Sequence, residues 1–244
     1  MTQQMTSDIP GTLTRRVRQQ IGSIPIIGAG LKLLKRGVAA SPHFRSSPSY
    51  WETRYRHGGS SGVGSYGRLA RFKAEVINRF VEQQGIQSVV EFGCGDGAQL
   101  ELAKYPGYIG FDVSPYVVER CRRRFESDPS KTFYDLDSGG ADTIQAEMAM
   151  SLDVIYHLVE DSVYETYMRR LAASATHSIC IYSSNANLPG HVPHIRHRDF
   201  LNWFEGNAPE WELVETVRNA YPHDPANPDE TSWADFYFLA WAGL

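Results

Sequence analysis

Three glycines at alternate positions, Gly93, Gly95 and Gly97, follow the apolar run VVEF within the segment VVEFGCGDGAQL at residues 89–100. Glycines there let the backbone turn tightly and a ligand approach without side-chain hindrance. The spacing of Gly93, Gly95 and Ala98 satisfies a dinucleotide fingerprint and serves a nucleoside site equally well. Two carboxylates separate these uses. Glu91 stands two residues before the first glycine, a position that suits a cationic amino-acid moiety and repels a pyrophosphate. Asp112 follows Gly93 by 19 residues, at the end of a second apolar run, where a carboxylate can accept both hydroxyls of a ribose. A second constellation, GHVPHIRHRDF at 190–200, carries His191, His194 and His197 at three-residue spacing. Pro193 keeps them off a common helical face, and no carboxylate or cysteine joins them at ligand spacing, so no metal site is expected. Arg196 and Arg198 suit an anionic or polyhydroxyl acceptor, which reads as a pocket-lining loop.

The elements that must position these residues follow from periodicity. Leu69, Phe72, Val76, Phe80 and Val81 recur at three- and four-residue spacing, a helix over 68–83 with one buried stripe, stopped by Gly85. Strands are expected at 88–92, 108–113, 132–136, 148–155 and 178–184. Helices fall between them, starting at 97–104 and covering 115–127 and 161–173. This alternation predicts an α/β fold, a Rossmann-like, doubly wound sheet covered by helices on both faces. Two further strands, 211–218 and 232–241, have only a Pro/Asn/Asp-rich loop between them and read as an antiparallel pair closing the sheet. The stretch 41–67 is rich in Ser, Gly, Pro and aromatics, and its densest part, HGGSSGVGSYG at 57–67, reads as a lid or entry loop.

Composition narrows the function classes. With 244 residues, 42% hydrophobic and 21% charged, the chain is long enough to bury a core without disulfide or metal staples. Its three scattered cysteines suggest a reducing compartment. Residues 1–50 hold seven Lys/Arg against the single acid Asp8, whereas 51–244 hold 17 basic and 27 acidic side chains. An acidic body argues against nucleic acid as a partner. Residues 1–45 are read as a basic, amphipathic N-terminal extension and 46–244 as the functional domain. Within the extension, 11–36 combines six cations, no acid and regular aliphatics, but its longest uncharged run is 13 residues, too short to span a bilayer. The expectation is a cytoplasmic protein docking peripherally on an anionic membrane face, or on a membrane-bound enzyme, through this segment.

With the glycine turn, the acidic end of the second strand, the segment SLDVIYHLVED at 151–161 and the final strand pair in this order, the chain from about Tyr50 onward resembles a class I S-adenosylmethionine-dependent methyltransferase. The resemblance implies a seven-stranded, mostly parallel sheet with an antiparallel last strand and S-adenosyl-L-methionine as cofactor. It implies that Glu91, Gly93 and Gly95 face the methionine part and that Asp112 holds the ribose, with Val113 packing on the adenine. Asp135 or Asp137 would lie near the adenine amino group, and Asp153 would face the amino-acid end or the substrate. Cys94 would sit in the cofactor wall as a small packed side chain, not a nucleophile. YWETRYRHGGSSGVGS at 50–65 is similar to the pre-motif region of a bacterial small-molecule and glycan subgroup, in which Trp51, Arg54 and Tyr55 close over the cofactor and Arg54 pairs its carboxylate.

Methyl transfer from a sulfonium needs alignment and, for a hydroxyl acceptor, removal of a proton. His157, just past the fourth strand, is the candidate base, titrating near neutrality, and His191, His194, Arg196 and His197 are candidate acceptor-binding residues. The expected reaction is O-methylation of a small molecule or saccharide. N-methylation of a small amine is the alternative. A nicotinamide-dependent oxidoreductase is disfavoured by Glu91 and by Tyr164 being followed at the fourth position by Met168 instead of lysine. Removal of residues 1–40 is expected to leave the domain folded and to lower retention on anionic vesicles, by about 1 kcal/mol per cation lost. Co-sedimentation at low salt checks this, and unchanged retention refutes surface docking.

Overall fold

The structure, a computed structural model, describes residues 44–137, 140–188 and 190–243. The 11–36 segment lies outside the described residues. Helix α1 (Ser47–Arg56) precedes α2 (Gly67–Gln84), β1 (Ser88–Phe92), β2 (Gly107–Asp112), α3 (Pro115–Arg124) and β3 (Lys131–Asp135). Then come β4 (Ala146–Leu152), α4 (Asp161–Ala173), β5 (Ala175–Ser183), α5 (Phe200–Asn207), β6 (Trp211–Val217) and β7 (Asp235–Trp241). The seven strands form one sheet in the order β3-β2-β1-β4-β5-β7-β6. The first five run parallel, and β7 is antiparallel to both β5 and β6.

Side chains alternate across the sheet and fill a core on each face. Val89, Met148, Met150, Cys180, Phe236 and Phe238 pack against Val76, Ile77 and Phe80 of α2 and Val118 and Cys121 of α3. Val90, Phe92, Ala149, Ile179, Tyr237 and Leu239 pack against Tyr167, Met168 and Leu171 of α4 and Phe200 and Phe204 of α5. Strand order reverses between β1 and β4, so the connections leaving them diverge and open a crevice at the carboxyl ends of the strands.

Three local expectations are corrected. The helix start at 97–104 is a turn followed by one 3-10 turn, Leu100–Leu102. Gly97 has φ +75°, and Pro106 bars a helix from running on towards β2. The fourth strand ends at Leu152 because Asp153 adopts φ +59°, a left-handed conformation that breaks the ladder. Within 41–67 a helix, α1, forms before the loop. Ser46 caps it by accepting from the Ser49 N–H, and Pro48 occupies its first turn. No helix among the described residues is long and apolar enough to cross a membrane.

Candidate functional site

The glycine turn is clamped to the neighbouring strand. The N–H groups of Gly93 and Cys94 both donate to the Phe111 carbonyl, at 2.7 and 3.0 Å. A Cβ on Gly93 would stand 2.3 Å from Val154 Cγ2, and one on Gly95 would stand 2.3 Å from Ser61 Oγ. Gly93 and Gly95 also carry φ of +89° and +58°, which L side chains rarely adopt. The turn in turn fixes Asp112. Gly95 N–H donates to its Oδ2 and Ser114 N–H to its Oδ1, each at 3.0 Å. Burial pushes the Asp112 carboxyl up to about 6 despite these bonds. Each of its oxygens keeps acceptor capacity for a further donor.

A cavity of about 440 Å³ opens where β1 and β4 part, within the size range of small-molecule sites. Glu91, Gly93, Cys94, Gly95, Asp112, Val113, Asp153 and His157 all line it. Its floor is charged. Because β1 alternates, Glu91 falls on the same face as Val89, towards α2. Its carboxylate accepts from the Tyr108 hydroxyl at 2.5 Å, and burial raises it to about 7, with Tyr108 and Lys73 opposing. Lys73 is only 1% exposed and donates from Nζ to Asp153 Oδ2 at 2.7 Å. The Tyr156 hydroxyl donates to the other oxygen of Asp153 at 2.7 Å.

The segment before α2 roofs the cavity. Ser47, at the start of α1, places Oγ 2.6 Å from both the His157 carbonyl and the Glu160 carboxylate. One turn on, Trp51 meets the His157 ring edge-on, with centroids 4.9 Å apart. The loop after α1 bonds to the glycine turn. Ser61 N–H donates to Asp96 Oδ2 at 3.1 Å, Asp96 N–H donates to Ser61 Oγ at 2.8 Å, and the Tyr66 hydroxyl donates to Asp96 Oδ2 at 2.6 Å. Burial pushes the Asp96 carboxyl up, but these donors hold it below its ordinary range.

His157 Nδ1 lies 3.0 Å from the His194 carbonyl. A carbonyl only accepts, so Nδ1 carries the proton and Nε2 keeps its lone pair. Burial lowers His157 to about 4, well below the near-neutral titration expected from its residue type. The difference arises because α1 and the 191–197 loop enclose the ring. A groove of about 750 Å³ runs beside α2 past Arg71, Asn78 and Gln87, but it lies at the opposite ends of the strands, away from this chemistry.

No protein-family model and no curated protein matches the chain. Solved structures match its fold. N-methyltransferase NodS from Bradyrhizobium japonicum WM9, in complex with S-adenosyl-L-homocysteine, superposes with a TM-score of 0.63 at 12% identity, over 80% of this chain and 98% of its own. Magnesium protoporphyrin IX methyltransferase from Synechocystis PCC 6803, also with S-adenosyl-L-homocysteine bound, gives 0.58 at 14% identity, over 80% of this chain and 97% of its own. The methyltransferase domain of bacterial CtHen1 gives 0.52 at 16% identity, over 69% of this chain and 97% of its own. The chain has the class I S-adenosylmethionine-dependent methyltransferase fold. Within this methyltransferase fold, some residues singled out in the sequence fall outside the cavity wall. Arg54 Nε donates to the Ser60 carbonyl at 2.7 Å, which ties α1 to its own loop. Asp135 is the last residue of β3, paired in register with Asp112, and it is Leu136 and Asp137 that reach the wall. His194 stacks on Tyr50 at 4.3 Å, and His197 Nδ1 is 2.7 Å from Ser184 Oγ. Arg196 donates to Asp161 Oδ1 at 2.8 Å, and His191 packs beside Trp233. These four support the loop behind His157 rather than lining the cavity.

The wall and its cover also contain residues that pattern reading passed over: Lys73, Ser61, Tyr66, Asp96 and Tyr156. Lys73 had a signal. It follows Leu69 by four residues and precedes Val76 by three, in phase with the buried stripe of α2. The raised Glu91 carboxyl has a measurable consequence. Folding costs this group nothing below its ordinary value of 4.5, and the cost grows as pH rises to about 7, so stability is lost over that window. His157 works in the opposite sense, losing stability as pH falls from 6.5 towards 4. Comparing Glu91→Gln with wild type cancels the histidine. In urea unfolding, the stability of Glu91→Gln relative to wild type is expected to rise by about 2.5 kcal/mol between pH 5 and pH 8. A constant difference would mean that Glu91 is ionised throughout.

Proposed function

We propose that the protein is an S-adenosylmethionine-dependent methyltransferase that O-methylates a small molecule or saccharide. The observation that carries this reading is the pair of buried carboxylates, Glu91 and Asp112, flanking a glycine turn into which no Cβ fits. A nucleoside with a zwitterionic tail matches that set: hydroxyl donors for Asp112, a close backbone approach at Gly93 and Gly95, and a cation near Glu91. Val113, Leu136 and Trp51 offer apolar surface to an adenine ring, and Asp137 a carboxylate to its amino group. The neighbours solved with S-adenosyl-L-homocysteine support the same assignment by analogy of fold.

When bound, the cofactor supplies a methyl group already activated on a sulfonium. The chain's own work is to orient, to exclude water and to accept a proton. Trp51 and the 57–67 loop cover the cavity and keep water from it. His157 Nε2, unprotonated above about pH 4, accepts the proton of an acceptor hydroxyl while the His194 carbonyl holds the ring in place. This favours oxygen over nitrogen as the acceptor atom, since a free amine needs no base. The saccharide reading draws on the many aromatic side chains and on the basic segment 11–36, which would bring the enzyme to an anionic membrane face. A nicotinamide oxidoreductase fits less well, because Glu91 opposes a pyrophosphate.

Calorimetry on the full chain tests the cofactor. S-adenosyl-L-methionine and S-adenosyl-L-homocysteine are expected to bind and NAD not, and Asp112→Ala should weaken both adenosyl ligands by about 2–4 kcal/mol. NAD binding in their place would refute the reading. The base is tested by radiolabelled methyl transfer across saccharide, phenol and amine acceptors. On hydroxyl acceptors His157→Ala should slow turnover by about 10²–10⁴-fold with cofactor affinity unchanged. The wild-type rate should hold down to about pH 5 and fall below it, following the low value of His157. A variant within about threefold of wild type, with the same pH profile, would remove His157 from the chemistry.

A further inference from the structure

Lys73 is the one residue of the cavity floor whose presence neither the glycine turn nor the proposed base explains. A lysine on the buried stripe of a helix loses its hydration, and such a charge persists only where it is paired. Its ammonium has three N–H donors. One goes to Asp153 Oδ2 at 2.7 Å, and the Tyr182 ring lies 5.3 Å from Nζ. No other hydrogen-bond acceptor is recorded for Nζ among the described residues. Lys73 nevertheless borders the cavity, together with Glu91 and Asp153.

The floor thus presents one cation and two carboxylates, on three different elements. Each is held by a partner that points it inward. Tyr108 fixes Glu91, Tyr156 fixes Asp153, and the left-handed backbone at Asp153 turns its carboxylate towards α2. The roof reaches the same spot, since a Cβ on Gly64 would stand 2.7 Å from Asp153 Oδ2. Ligand groups that meet this set are a carboxylate for the spare donors of Lys73 and an ammonium for Glu91 and Asp153. Both charges occur together on an α-amino acid. A neutral or purely cationic ligand would leave one side of the set unmatched.

We propose that Lys73, with Asp153 and Glu91, forms a zwitterion receptor that reads the α-amino-acid end of the cofactor, with Lys73 as the partner of its carboxylate. This assigns to Lys73 the part that sequence similarity gives to Arg54, whose Nε donates to the Ser60 carbonyl and which, unlike Lys73, does not border the cavity. The inference rests on the cofactor reading above. It makes the floor a specificity element: adenosyl compounds without the amino-acid end keep the Asp112 contacts and lose those of Lys73.

The test is calorimetry on the full chain with two probes, S-adenosyl-L-homocysteine and 5′-methylthioadenosine, which lacks the amino-acid end. In Lys73→Met the affinity for S-adenosyl-L-homocysteine should fall on the order of 30-fold, the loss of one charge-assisted bond, while that for 5′-methylthioadenosine stays within about twofold. Retained 5′-methylthioadenosine binding also reports that the variant is folded. Because Lys73→Met strands Asp153, the charge-balanced variant Lys73→Met/Asp153→Asn is measured beside it, with the same narrowing of the affinity ratio expected. A ratio equal to wild type in whichever variant folds overturns the role of Lys73 and leaves the cofactor reading standing. A wild-type protein that binds neither probe overturns both.

Discussion

A carboxylate placed inside a parallel sheet must find a cation or a donor before the sheet can close over it. Glu91 is in that position, and much of the upper half of the domain is arranged around its needs. The alternation of β1 turns it towards α2, and α2 has to lie in the one rotational setting that brings Lys73 over the same face. Tyr108 on β2 supplies the hydroxyl, and Lys73, bonded to Asp153, supplies a nearby positive charge. Removing one charge leaves the others buried without compensation, which is far costlier than never having built the group. The set therefore fixes the seating of α2 against the sheet more narrowly than Val76, Ile77 and Phe80 would, since an apolar face tolerates repacking.

The same logic extends outward through backbone groups. Two N–H groups of the turn are used on the Phe111 carbonyl, and the next, of Gly95, is used on Asp112. Asp112 then takes Ser114, whose Oγ caps α3 by accepting from Val117 N–H and also donates to Glu52 of α1. A chain of hydrogen bonds thus runs from the sheet through the turn to the roof. Asp112 is its joint, since its two oxygens take donors from the turn and from the start of α3.

The parts of this site that were legible in the sequence are those whose signal is local. A carboxylate inside an apolar strand, glycines at alternate positions and an acid closing the next strand are visible without knowing what they touch. Lys73 was equally local, a charge in phase with an apolar stripe, and was passed over because only the apolar positions of α2 were followed. The helix expected at 97–104 failed on Pro106, and α1 was missed because it has no apolar stripe and is anchored by Ser47, Trp51 and Tyr55 one at a time. The depressed basicity of His157 had no local signal. It depends on α1 and the 191–197 loop meeting around one ring, with Ser47 bonded across 110 residues of chain to the His157 carbonyl. Burial built by such distant segments is invisible to spacing.

The order of strands has a bearing on how the domain assembles. β7 lies inside the sheet, between β5 and β6, although it follows both in the chain. Until it arrives, β5 has an open edge and β6 has no strand to pair with, because β7 is its only neighbour among the described residues. On a ribosome making the chain from its N-terminus, β1 to β5 can associate while an unzipped slot persists beside Ile179 and Ile181. That slot accepts Phe236, Phe238 and Leu239, and any other extended apolar segment would satisfy the same backbone groups. The domain is thus most exposed to mispairing in the interval between synthesis of β6 and synthesis of β7.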